Sequence, residues 1–162
     1  MSVIVPPVRP FRGNRGVDSW GSGVFGASRD GGSRAHLGLD FTSVTGDTVV
    51  APFPGTITRV GIAYPNAKLG SIHLQGSGDF SAWRAKLLYV LPAAGLMGRE
   101  VVAGDEIGTA QDVATYWHIQ EPGRVGMMIN HVHLEIQVTE ARNVDPAHYL
   151  PPGLVVPQPV RA

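Results

Sequence analysis

The segment His131-Val132-His133-Leu134-Glu135-Ile136-Gln137-Val138 alternates polar and apolar side chains through eight positions, and two of the polar ones are imidazoles. That alternation is the period of a β-strand with one face on a core. Val132, Leu134, Ile136 and Val138 then point inward, and His131, His133 and Glu135 share the opposite face, successive members about 7 Å apart. On a helix the two histidines would diverge by about 200°. As a strand pair, one imidazole can hold a metal ion while the other reaches a water or substrate beside it.

A second constellation is His36-Leu37-Gly38-Leu39-Asp40-Phe41, in which Leu37, Leu39 and Phe41 alternate with His36, Gly38 and Asp40. In a straight strand the α-carbons of His36 and Asp40 would lie about 13 Å apart, so a shared ion requires a bend, which Gly38 permits. The chain has no cysteine, which excludes disulfides and thiolate metal sites. Any metal must be held by His, Asp or Glu. His36, Asp40 and one of His131 or His133 make a set of three ligands suited to a catalytic zinc with an open position. Zinc lowers the pKa of its water to about 7 and polarises carbonyls, which is what amide hydrolysis at neutral pH needs.

The elements that must position these residues are short strands and turns. At 162 residues the chain is the size of one domain, and its 21 glycines and 13 prolines favour turns over a helical bundle. The reading is an all-β fold of small antiparallel sheets with long loops. Strands are expected around Thr48–Val50, Gly55–Val60, Ser71–Gln75 and Lys86–Leu91, the last ended by Pro92, and as a pair joined by a tight turn within 100–108. Periodicity fails from Thr109 to Asn130, which reads as a long loop with one helical turn, and loops of that length are often functional. His118 lies within it, His73 reads as a surface strand histidine, and His148 falls beyond the site. We divide the chain into an N-terminal arm or extended strand packed against the domain edge (1–20), the main domain (21–152) and a Pro-rich C-terminal tail (153–162).

Formal net charge is zero, so no global field recruits nucleic acid. Arg9, Arg12, Arg15, Arg29 and Arg34 cluster early and read as a solvated basic arm. No stretch is long and apolar enough to span a bilayer, so membrane insertion is not expected. The first residues lack the basic and apolar regions of a secretory signal. The expectation is cytoplasmic synthesis, with any action outside the cell reached through a phage particle, lysis or non-classical secretion.

Several short motifs coincide in this order. They are Phe25-Gly26 with Arg29; His36-Leu37-Gly38-Leu39-Asp40; Gly46-Asp47-Thr48-Val49-Val50-Ala51-Pro52 followed by Gly55; Gly104 to Gly108; and His131-Val132-His133. Together, over roughly residues 23–150, they resemble the lysostaphin/LytM-type zinc endopeptidases, which cut peptide cross-links of bacterial peptidoglycan. The resemblance implies zinc ligands at His36, Asp40 and His133, with His131 facing the reacting water. It implies a cell-wall peptide or peptidoglycan as partner, and leaves room for protein partners in a larger assembly.

One departure stands against these matches. The family's active members carry a further histidine in a Tyr-x-His segment, and here the segment reads Tyr89-Val90-Leu91. Leucine can neither take a proton nor stabilise an oxyanion, and loss of such a group costs about 10² to 10⁴ in rate. Non-enzymatic chemotaxins of the same fold share the departure. His118 is the candidate substitute. The expected function is therefore a zinc-binding, cell-wall-directed module with lost or reduced catalysis. The alternative is an active zinc endopeptidase of peptidoglycan cross-links, in which His131 works with help from His118 or Tyr89.

Overall fold

The computed structural model describes residues 2–140 and 142–154. The strands that build the domain are β1 (Val8–Arg9), β2 (Leu39–Thr42), β3 (Thr48–Val50), β4 (Gly55–Ile62), β5 (Gly70–Gly76), β6 (Arg84–Leu88), β7 (Val90–Pro92), β8 (Glu100–Val101), β9 (Glu106–Ala110), β10 (His131–Thr139) and β11 (Arg142–Val144). Among the described residues one α-helix, α1 (Val113–Gln120), interrupts them. The fold is the expected all-β arrangement of small antiparallel sheets.

The larger sheet runs β8-β4-β5-β6-β10-β11, and the smaller one β1-β3-β9-β7. β10 is the strand the alternation predicts. One of its edges pairs with β6; the other is shared, by β2 opposite His131 to Leu134 and by β11 further along. Between the sheets, Val49, Phe53, Ile57, Ile72, Leu87, Ile107, Val132, Leu134 and Ile136 are fully buried, which is where the apolar half of each alternating strand goes.

Three expectations change. The run Lys86–Leu91 is not one strand: Tyr89 sits at φ 69°, a conformation uncommon for a bulky residue, and there the chain leaves the larger sheet for the smaller one. The region read as loop with one helical turn holds the eight-residue helix α1. Asp112 caps it by accepting the Thr115 N–H at 2.8 Å, and Val113 and Ala114 anchor it inward. The third change lies in the N-terminal segment, which runs along the domain edge with Ile4 and Val8 1% exposed and β1 paired with β3. Arg15, expected in a solvated arm, is 3% exposed. The C-terminal tail beyond Leu154 lies outside the described residues.

Candidate metal centre

The register of β2 against β10 sets Asp40 directly opposite His133. His36 arrives from the turn before β2, where Gly38 lies against β10. A Cβ on Gly38 would stand 2.3 Å from the Leu134 carbonyl oxygen and 2.9 Å from His133 Cε1, so only glycine fits this approach. The three side chains meet with His133 Nδ1 2.8 Å from Asp40 Oδ1, His36 Nε2 3.1 Å from the same oxygen, and His36 Nε2 2.9 Å from His133 Nδ1. All three residues are buried. Together they form a group able to hold a metal ion.

The outer partners of each imidazole decide what it aims inward. His36 Nδ1–H donates to the Val24 carbonyl at 2.8 Å, which leaves Nε2 as a lone pair. His133 Nε2–H donates to Glu135 Oε1 at 3.0 Å, leaving Nδ1 as the inward atom. With Asp40 Oδ1, three acceptors therefore converge on one point and call for a cation, the arrangement by which metal-binding histidines are oriented through their other nitrogen. In the metal-free chain a proton on His133 meets that demand. Burial alone would lower the His133 imidazole, but hydrogen bonds to Asp40 and Glu135 outweigh it and push it up to about 9. Burial would raise Asp40, yet the neighbouring His131 and the His133 N–H hydrogen bond hold it well below the usual carboxylate range.

His131 stands beside this group. Its Nε2 lies 3.5 Å from Asp40 Oδ2, and its Nδ1–H donates to the Ile129 carbonyl at 2.8 Å. Burial pushes its imidazole down, so it is neutral at pH 7 with Nε2 as the acceptor. It can take a proton from a group brought into the cleft.

The other sequence candidates are not gathered here. Leu91 is 58% exposed and lines a separate depression with Lys68, Thr109, Gln111 and Tyr116. His118 is exposed on α1 and does not line the cleft over the histidines. His73 is half-buried on β5, and His148 is exposed. What faces His131 is Tyr89, edge to face with ring centroids 5.3 Å apart, its hydroxyl hydrogen-bonded to that of Tyr64. Burial keeps the Tyr89 phenol protonated, well above its ordinary range, so it is a donor and no base. Of the two groups the sequence offers as help for His131, His118 and Tyr89, it is Tyr89 that stands beside it, at a positive φ that alternation counted from a continuous strand hides.

Further out, Trp20 and Trp117 close one side of the cleft with ring centroids 6.2 Å apart, and the Arg124 guanidinium lies 4.3 Å over Trp20.

No family model and no curated protein matches the chain. Solved structures do. The catalytic domain of the antimicrobial peptidase lysostaphin from Staphylococcus simulans aligns over 78% of this chain and 87% of its own, at 22% identity and a TM-score of 0.57. A mutant catalytic domain of the prophage-encoded M23 protein EnpA from Enterococcus faecalis aligns over 91% and 96%, at 19% identity and a TM-score of 0.56. A zinc-containing peptidase from Vibrio cholerae aligns over 90% of this chain at 18% identity and a TM-score of 0.52, the match spanning 36% of that longer protein. The chain thus carries the fold of the lysostaphin-type M23 peptidases.

Proposed function

We propose that this chain is a zinc-holding domain directed at bacterial cell-wall peptides, acting as a binding or structural module whose hydrolytic step is lost or strongly reduced. The observation that carries this reading is the contrast between the two halves of the centre. The half that holds a metal is complete, with His36 Nε2, His133 Nδ1 and Asp40 Oδ1 converging within 4.8 Å. The half that would complete hydrolysis offers one imidazole, His131, faced by the Tyr89 phenol. Zinc bound to such a set supplies Lewis acidity toward a peptide carbonyl. His131 would move a proton at Nε2; Tyr89 can donate a hydrogen bond but cannot serve as a second base.

The cell wall enters as the ligand because lysostaphin, whose fold this is, is an antimicrobial peptidase. A place on a phage or secretion particle is one role for such a module, in keeping with the prophage origin of EnpA, a protein of similar fold. One observation favours the alternative of a working endopeptidase: a protonated phenol beside His131 is a donor of the kind that stabilises an oxyanion.

The test loads the purified chain with zinc, counts metal per chain, and incubates it with cell walls of several cross-bridge types. One zinc per chain and co-sedimentation with walls, without release of new amino termini, is the expected result. Release of amino termini that disappears in His131→Ala would establish the endopeptidase instead.

A further inference from the structure

The buried Arg15 reaches three groups at once. Its Nη1 donates to Asp40 Oδ2 at 3.0 Å, Nε donates to Asp18 Oδ2 at 2.8 Å, and Nη2 donates to Asp18 Oδ1 at 2.7 Å and to the Gly21 carbonyl at 3.2 Å. Its backbone N–H donates to the Asp40 carbonyl at 2.7 Å. The closeness is built in: a Cβ on Gly23 would stand 2.5 Å from the Arg15 carbonyl oxygen and 3.0 Å from Asp40 Cβ. Asp18 extends the chain of contacts, since its Oδ2 also accepts the Ile129 N–H at 2.8 Å. Ile129 is the residue whose carbonyl receives the His131 Nδ1–H.

From this geometry we infer that Arg15 is a positioning residue that joins the two halves of the centre: by engaging Asp40 Oδ2 it turns Oδ1 toward His36 and His133, and through Asp18 and Ile129 it fixes the tautomer of His131. A buried arginine clamped between two carboxylates is costly to desolvate, and removing it leaves both carboxylates short of a partner. A carboxylate with one oxygen engaged presents the other in one direction, and a planar guanidinium can do this while holding a second carboxylate side-on. The Ile129 backbone carries the effect onward, because the N–H on one side of its Cα is committed to Asp18 and the carbonyl on the other side to His131.

The inference rests on the metal-holding reading for its first half only, and the test separates the two. Zinc affinity is measured by competition with a chromogenic chelator, and the His131 tautomer is read in the zinc-free chain from the imidazole nitrogen shifts, for wild type, Arg15→Gln, Arg15→Lys and Asp18→Asn. Arg15→Gln is expected to weaken zinc about 10- to 100-fold, the range for partners that orient metal ligands, with partial recovery in Arg15→Lys. Asp18→Asn, which touches no ligand, is expected to mix the His131 tautomers. Folded variants with zinc affinity within twofold of wild type and an unchanged His131 tautomer would overturn the inference. Wild type that binds no zinc would remove the metal reading alone, and the His131 tautomer would still decide the link. Should Arg15→Gln fail to fold, Asp18→Asn and Arg15→Lys carry the decision.

Discussion

Gly38 lies so close to His133 that a Cβ on it would stand 2.9 Å from the imidazole Cε1 and nearer still to the Leu134 carbonyl. The obstruction is partly backbone, so it cannot be relieved by a rotamer change. Gly38→Ala is expected to lower stability by about 1–3 kcal/mol, as overpacking does, and to displace His133 from Asp40. Thermal unfolding with and without zinc measures both: the zinc-induced rise in Tm should shrink along with Tm itself.

Metal and proton compete at His133. With its imidazole pushed up to about 9, zinc binding at pH 7 should release about one proton, and affinity should fall about tenfold for each pH unit below that value. Calorimetry in buffers of different ionisation enthalpy counts the proton; a count near zero would contradict the protonated metal-free centre.

The same shift sets the pH dependence of the metal-free fold. A group raised from 6.5 to about 9 contributes stability that is fully present below pH 6.5 and lost as pH rises through 9. Asp40, held low, contributes stability present above pH 3.8 and lost as pH falls below it. Metal-free Tm should therefore decline between pH 6.5 and 9, and zinc should reverse the alkaline half of the profile.

Tyr89 and Leu91 make opposite predictions about repair. Leu91 points away from the centre, so Leu91→His is expected to leave peptide hydrolysis at background. Tyr89 faces His131, and histidine tolerates positive φ better than a bulky aromatic residue does. Tyr89→His is expected to raise amino-terminus release from cell walls by at least about tenfold, a small part of what a missing acid–base group costs.

Removing the metal tests how far the fold depends on it. At a zinc concentration about 100 times Kd, binding should stabilise the chain by about 2.7 kcal/mol, so chelator should lower Tm by that equivalent without unfolding the domain at 25 °C. The core between the sheets, from Phe53 to Ile136, is buried independently of the centre.

Much of this protein is legible along the chain because period-2 alternation is a local property. Val132, Leu134 and Ile136 fall in the core, and β10 runs where the pattern places it. The short strands around Pro and Gly turns follow for the same reason. The absence of cysteine limited a metal to His, Asp and Glu before any geometry was known. Local pattern also determined that His36 and Asp40 need glycine between them.

What only the tertiary structure decided depends on contacts between distant segments. Antiparallel register, set by pairing across about ninety residues, puts Asp40 opposite His133. A positive φ at one tyrosine, invisible to alternation, turns Leu91 outward and sets Tyr89 against His131. Arg15 looks like one more surface cation in the sequence, and burial between Asp18 and Asp40 makes it part of the centre. Sequence periodicity says which face a side chain takes; which partner it meets there is settled when the sheets close.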